Sequence, residues 1–245
     1  MANDFAINGK SPAVVICPTR DTIFTSTAKV ADLAGYQDGT FSGMTGTAWV
    51  SDTGAGGAQA IALDGANDGI GLPNLPIAAG WSISIWFKFS SFSGLTFAFA
   101  SYIDPNRLYL AQNSGTAYIR AGNDSSYLGG STNLVLNQWH NLVLAIAEDG
   151  LSYTGWCDGT SLGSRSTVLS SAGNNGIGAF FNAVNSPSAN FATGRFDDLR
   201  IWNRSPLDNT DAAAIWASGY GRGKIVSSGS GGGVRMVNIR GGADQ

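Results

Sequence analysis

Residues 137–159 read NQWHNLVLAIAEDGLSYTGWCDG. The fold turns on how this stretch is taken. It holds the only histidine of the chain, His140, and the only glutamate, Glu148. Read as chemistry, the two residues are an acid–base pair. Read as structure, the run from His140 to Ala147 is a buried strand, Glu148-Asp149-Gly150 is a turn, and Leu151 to Asp158 is the returning strand. An extended strand keeps His140 and Glu148 about 26 Å apart. A hydrogen-bonded dyad needs about 3 Å between heavy atoms. The stretch is therefore a β-hairpin, opened by Trp139-His140 and closed by Cys157-Asp158-Gly159.

The same alternation runs outward on both sides. Short apolar, aromatic and β-branched runs are separated by clusters of Gly, Asn, Asp and Ser. Strands are expected at Ile83–Phe89, Leu95–Tyr102, Arg107–Leu110, Thr116–Arg120, Asn141–Ala147 and Phe196–Trp202, a spacing that suits an antiparallel sandwich or jelly roll. One helix is expected, at Asn209–Ser218. Asp208 or Asn209 can cap it, Asp211 complements its N-terminal dipole and Gly219 ends it. No internal repeat is visible. Composition agrees with this reading. The chain of 245 residues has 34 glycines and is 43% hydrophobic, too apolar for a disordered chain. Of 17 acidic residues all but Glu148 are aspartate, the acid of turns rather than of strand interiors.

The composition shifts at Ser218. From there the chain reads SGYGRGKIVSSGSGGGVRMVNIRGGADQ, with Arg222, Lys224, Arg235 and Arg240 against Asp244. The expected organisation is an N-terminal arm over 1–20, a sandwich domain over 21–218, and a Gly-rich basic tail over 219–245. The tail has two readings. It is a disordered end, or its Val234–Ile239 piece adds a strand to a partner's sheet edge. In the second reading Arg235, Val237, Ile239 and Arg240 are the assembly contacts.

Charge excludes several function classes. The net charge is -3 and charged residues make up 13% of the chain, so no broad basic surface exists for nucleic acid. The first 20 residues show no basic segment followed by an apolar run, so no signal peptide is expected. No 18-residue apolar segment is present, so no helical membrane span is expected either. Cys17 and Cys157 are too few for a zinc site without a histidine cluster. The sequence leaves open whether they pair or stay as buried thiols.

Catalysis is disfavoured residue by residue. Glycoside hydrolysis needs two carboxylates about 5–10 Å apart. The one glutamate sits in a turn, and Asp197 and Asp198 are adjacent, so on a regular strand they point to opposite faces. A serine triad would have to use His140, and no GxSxG elbow accompanies it. The glycine clusters at 54–57 and 229–233 match no phosphate-loop pattern. Binding is easier to place. Trp86, Trp156 and Trp202 lie inside strand-like runs and are expected in the core. Trp49, Trp81 and Tyr127 adjoin loops and are the candidates for stacking on sugar rings.

Several stretches in order resemble one family. LDGANDGI (63–70), WSISIWFK (81–88), WHNLV (139–143) and WCDG (156–159) each look like a laminin-G-like segment. GRFDDLRIWNR (194–204), followed by Ser205-Pro206-Leu207 and a short helix, carries the most specific match. Together they resemble the laminin-G-like domains of the concanavalin A-like lectin/glucanase superfamily, over residues 21–218. The resemblance implies an all-β, two-sheet antiparallel jelly-roll sandwich that binds or adheres rather than catalyses. Many members bind glycans and some hold calcium. Asp32 and Asp198 are the calcium candidates; the alternatives are turn chemistry or a salt bridge from Asp198 to Arg200 or Arg204.

These readings lead to a non-enzymatic structural or adhesive module of a larger particle. The concrete expectation is a bacteriophage virion surface protein, either a capsid decoration or a fibre-like subunit. It would be made in the host cytoplasm, contact other particle subunits and copies of itself, and bind surface glycans. The alternative is a stand-alone glycan-binding lectin, with or without calcium. Neither involves nucleic acid or membrane.

Overall fold

Turn formers punctuate the chain so regularly that almost every apolar run between them becomes a strand. The computed structural model describes residues 6–17, 29–34, 38–44, 49–52, 58–72, 75–103, 106–122, 127–129, 131–167, 173–183 and 186–218. The N-terminal strands are β1 (Val14–Ile16), β2 (Lys29–Val30), β3 (Gly39–Ser42), β4 (Trp49–Asp52), β5 (Ala58–Asp64) and β6 (Gly69–Gly71). Next come β7 (Ser82–Phe89), β8 (Leu95–Ile103), β9 (Asn106–Asn113), β10 (Thr116–Gly122), β11 (His140–Ile146) and β12 (Ser152–Cys157). The last are β13 (Thr160–Ser166), β14 (Gly176–Ile177), β15 (Phe180–Ala183), β16 (Ser186–Ala189) and β17 (Thr193–Trp202), followed by helix α1 (Asn209–Ser218).

The expected two-sheet antiparallel sandwich is what forms. The larger sheet runs β13-β12-β11-β7-β17-β5-β4, with β1 also paired to β17. The smaller runs β10-β9-β8-β14-β6-β3-β2, and β15-β16 make a separate hairpin. The opening stretch is the β11–β12 hairpin, with Leu142 opposite Cys157 and Ile146 opposite Tyr153. Its turn closes through Gly150 N–H to Ala147 O at 3.0 Å, and the Asp149 carboxylate accepts the Leu151 N–H. Glu148 lies in that turn and His140 at the far end of β11, as the strand rise requires.

Alternation decides which side chains fill the space between the sheets. Ile83, Ile85, Phe87 and Phe89 of β7 face Phe99 of β8 and Leu108 and Leu110 of β9 in one continuous core. Each fully buried side chain of this size contributes about 1.5–3 kcal/mol of transfer free energy. The opposite face of the larger sheet is covered as well. There Trp156 and Trp202 pack with Ile7, Leu207, Ala212 and Ile215. Trp86 stacks on Trp216 of the helix at 5.3 Å between ring centroids. So Trp86, Trp156 and Trp202 are core residues, and α1 is held as a lid on the sheet. Asp208 caps α1, accepting the N–H groups of Thr210 and Asp211, while Asp211 accepts the Asp208 N–H in return.

One expectation changes here, and one open question closes. Within the expected 1–20 arm, the described residues 6–17 do not stand apart: β1 pairs with β17, Val14 and Ile16 are core, and Lys10 bonds Asp211 of the helix at 2.6 Å. Sequence missed this because VVI is too short a run to name its partner. Cys17 and Cys157 are buried thiols that form no disulfide with each other. Cys157 lines the inter-sheet core while Cys17 packs in a separate cluster with Val15. The tail over 219–245, with Arg235, Val237, Ile239 and Arg240, lies outside the described residues, as does Gly219.

Candidate functional site

The conspicuous polar residues of the sequence turn out to brace the backbone. His140 is buried, with Nδ1 2.7 Å from Asp158 Oδ2, and its Nε2 accepts the Val135 N–H at 2.9 Å. The other oxygen of Asp158 accepts the Asn141 N–H. Both ring nitrogens are therefore engaged, and the pair pins the mouth of the hairpin. The partner of His140 is Asp158, across the hairpin, and not Glu148 along it. The hairpin register brings those two ends together, which spacing along the chain does not display. Cys157 is buried, and burial, then the Asp158 carboxylate, push its thiol far above the ordinary value.

The most specific motif, GRFDDLRIWNR, is a structural device. Asp198 has a positive φ of 47°, and the β17–β7 register shifts between Asp197 and Arg200. Before this bulge β17 pairs with β5, over Thr193–Phe196; beyond it β17 pairs with β1, over Leu199–Ile201. Arg200 grips Asp198 through two parallel bonds, Nε to Oδ1 at 2.7 Å and Nη2 to Oδ2 at 2.6 Å, both side chains being fully buried. Burial alone would pull the Arg200 pKa down, but the Asp198 carboxylate more than offsets it and the net direction is up. Of the two salt-bridge partners open to Asp198, Arg200 is the one used.

This arrangement does not fit Asp198 as a calcium ligand, since both carboxylate oxygens already face a guanidinium. Asp32 fits no better. Its Oδ1 accepts the N–H groups of Val15 and Ala34, tying β1 to the loop after β2. Among the described residues no group of three acids, histidines or cysteines gathers as a metal centre.

One carboxylate is less well satisfied. Asp68 is 5% exposed; its Oδ2 accepts the Asp64 N–H at 3.0 Å, while its buried Oδ1 has no hydrogen-bond partner among the described residues. Burial raises its pKa, the Asp64 N–H pulls it back, and the Asp64 carboxylate adds to the rise. A carboxyl whose folded pKa is raised contributes most stability below its unfolded pKa and loses that contribution as pH climbs through the folded value. Asp68→Asn keeps the acceptor and removes the charge. Thermal unfolding should show a higher Tm for this variant at neutral pH and a smaller difference near pH 4. Equal shifts at both pH values would refute the assignment.

The three aromatic candidates are not brought together. Trp81 is 8% exposed and belongs to the core, so it presents no face to a sugar. Trp49 is half-buried on β4, edge-on to Phe41 of β3 at 6.1 Å. Tyr127 lies at the opposite edge of the sandwich, beside β10. It is 40% exposed and stacks on Tyr118 at 4.3 Å with an interplanar angle of 23°.

Around Tyr127 the structure assembles something the sequence reading passed over. Strands β9 and β10 join through Ser114 and Gly115, both with positive φ, the geometry of a two-residue turn that matches strand twist. The register this sets places Tyr118 opposite Ala111, Arg120 opposite Tyr109, and Gly122 opposite Arg107. Across β8, Tyr109 faces Ala100 and Arg107 faces Tyr102. All of these side chains fall on the outer face of the smaller sheet. Phe97 and Tyr109 pack at 4.6 Å, Phe180 of the β15–β16 hairpin leans on Phe97, Tyr102 and Tyr109, and Arg107 sits over the Tyr102 ring. Burial holds the Tyr109 hydroxyl above its ordinary pKa, with Arg107 and Arg120 pulling the other way. The result is an aromatic layer on the strands in which Phe97, Tyr109 and Tyr118 are buried, Tyr102 is half-buried and Tyr127 is exposed, with Arg107 and Arg120 on the same face. The signal for it was present in RLYL and TAYIR as Arg/Tyr pairs two residues apart, but only the register shows that both pairs share a face.

Comparison with known proteins agrees with this architecture. A search of curated proteins finds no match by sequence. Domain 4 of AbnA, an extracellular GH43 arabinanase from Geobacillus stearothermophilus determined with arabinotriose, superposes with a TM-score of 0.64 at 18% identity, over 84% of this chain and 98% of that one. Trypanosoma rangeli sialidase gives 0.61 at 11% identity, over 84% of this chain and 32% of the sialidase. The binding domain of botulinum neurotoxin serotype D gives 0.57 at 14% identity, over 87% and 53%. At these identities the likeness is one of fold. The sequence itself matches a family model over residues 64–210, from the end of β5 into α1. A chain matched over most of its length, folded as this jelly-roll sandwich, belongs to the laminin-G-like concanavalin A-like lectin/glucanases superfamily.

Proposed function

We propose that the chain is a non-enzymatic adhesion module that binds glycans through the outer face of its smaller sheet. The observation that carries this is Tyr127 on that face, 40% exposed and stacked on the buried Tyr118, with half-buried Tyr102 on the same face. Aromatic faces bind the apolar faces of sugar rings, and phenol hydroxyls bond their hydroxyls. The engagement of both His140 nitrogens and the structural use of Asp197, Asp198 and Asp211 support a role without catalysis. The arabinotriose bound to the arabinanase domain also supports the glycan reading.

A glycan array, read with and without chelator, tests this and separates calcium-dependent from calcium-independent binding. Tyr127→Ala should weaken binding about tenfold, a loss of roughly 1.4 kcal/mol. Trp49→Ala should leave binding unchanged. Silence across broad glycan classes would defeat the reading.

The finer proposal is that the module is displayed on a particle, specifically a bacteriophage virion, as a capsid decoration or fibre-like subunit. Its support is compositional: a charge-poor chain, 13% charged, rich in glycine and ending in a basic Gly-rich segment suited to contact with neighbouring subunits. Deleting residues from Ser227 onward should abolish incorporation into the particle and leave the sandwich folded. A stand-alone lectin would instead behave as a free monomer in native mass measurements.

A further inference from the structure

The larger sheet ends in a strand that nothing among the described residues covers. β13 pairs with β12 on one side only, and six of its seven residues are exposed. The other sheet ends are shorter or closed: β4 has four residues, β2 has two, and the outer side of β10 is bridged by Leu128 and Asn133. Thr167 N–H bonds Leu151 O, and Ala147 N–H bonds Ser152 O. Bonded and non-bonded pairs alternate in an antiparallel ladder. Ser164 and Ser166, opposite Thr154 and Ser152, therefore turn their N–H and C=O groups away from β12. An open edge is a template for another strand, and proteins usually blunt it with proline or charge. β13 reads TSLGSRS; it has no proline, and its one charge, Arg165, is turned back onto Tyr127 O at 2.9 Å. The ladder slips once, at Leu162, whose side chain packs against the core, and the run from Gly163 to Ser166 stays in register.

Exposed apolar side chains stand at both ends of this edge. Leu151, 57% exposed, bonds Thr167 just past β13; Trp216, 40% exposed, packs on Gly159 just before it. Acids stand there too: exposed Glu148 and Asp149 in the turn beside Leu151, and partly exposed Asp158 next to Gly159. One stretch of this chain matches that pattern. Val234–Ile239 is VRMVNI, with Val, Met and Ile to cover apolar surface and Arg235 and Arg240 at its two ends. The two arginines lie about 17 Å apart in an extended chain, against about 23 Å for the length of β13, a difference that long side chains close. Among the described residues a single chain leaves this edge unpaired, so the donor is a second copy.

We infer that Val234–Ile239 of a second copy adds to the outer edge of β13 and extends the larger sheet by one strand; the inference rests on the display reading above, in which the tail joins neighbouring subunits. Main-chain bonds to Ser164 and Ser166 supply affinity, and the alternate side chains supply specificity. The apolar residues cover Leu151 and Trp216, and Arg235 and Arg240 sit by the acids at the two ends.

The test uses the full chain, the chain truncated before Ser227, and a synthetic peptide of residues 231–245. In sedimentation velocity the full chain should associate as its concentration rises, and the truncated chain should stay a monomer. By calorimetry the peptide should bind the truncated chain one to one, more weakly as salt rises. A peptide carrying Met236→Pro and Val237→Pro loses a ladder N–H in either register and should bind at least tenfold more weakly. On the acceptor side, Ser164→Pro removes an outward N–H, spares the bonds to β12 and should weaken peptide binding by a similar factor. A truncated chain that associates as the full chain does overturns the inference, as does a proline-substituted peptide that binds as tightly as its parent. A full chain that stays monomeric and excludes the peptide holds its own segment on β13, which overturns the second copy as donor. A peptide that fails to bind, while truncation still abolishes incorporation into the particle, overturns this inference alone. Normal incorporation of the truncated chain overturns the display reading, and this inference with it.

Discussion

Arg200→Met is expected to lower the unfolding free energy by about 3–5 kcal/mol, because it strands the Asp198 carboxylate in a buried site. Both members of the pair are 1% exposed. Typical domains have only about 5–15 kcal/mol in total, so the variant should be close to the limit of folding at 37 °C. The cost comes from the uncompensated charge, and not from any large net worth of the pair. Asp198→Asn combined with Arg200→Met should therefore recover most of the loss, since asparagine tolerates the positive φ at this position. Arg200→Lys should be intermediate, lacking the fork that makes the two bonds to Asp198. Equilibrium denaturation in urea measures all three. A single Arg200→Met variant within about 1 kcal/mol of the parent would show that the ion pair does not hold the bulge.

Trp202→Ala should cost a similar amount, about 3–5 kcal/mol, by opening a cavity that its neighbours cannot close. Trp202 is fully buried between the larger sheet and α1, against Ile7, Leu207 and Ile215. Its Nε1 donates to Lys10 O at 3.0 Å, so the ring also fastens the N-terminal segment. Loss of the ring should loosen residues 7–10 and the helix together. Amide exchange would register this as faster exchange at Ile7, Lys10 and Ala212, whose N–H groups bond Lys10, Ile7 and Asp208. Trp202→Phe should keep part of the packing and lose the indole bond. Retention of full stability in Trp202→Ala would mean that the helix and the N-terminal segment are held by other contacts.

Where the code is local, the sequence was legible. The helix at 209–218 begins at the Asp208 cap that its sequence implies. The runs ISIWFKF, LTFAFASY and NLVLAIA become β7, β8 and β11 with shifts of one residue at an end. The three core tryptophans follow from their place inside strands. Trp81 was harder: it adjoins a loop in sequence, but the sheet starts beside it and the core claims its ring. The aromatic face was not legible because each of its residues, taken singly, reads as an ordinary strand residue.

The sequence by itself determined the class of fold, because a period of two between turn formers can bury one face only by stacking sheets. It also determined that any acid–base chemistry has a single His and a single Glu to draw on, since both are fixed by composition. Only the tertiary structure decided what His140 does, which acid Arg200 holds, and which tyrosines and arginines share a surface. The reason is register. A strand's partners are set by turns and bulges far from the residues in question, and a shift of one residue moves every side chain to the other face. The hairpin at 137–159 shows both sides of this: its strands and turn are written in its own residues, while the bond from His140 to Asp158 exists only because the strands align as they do.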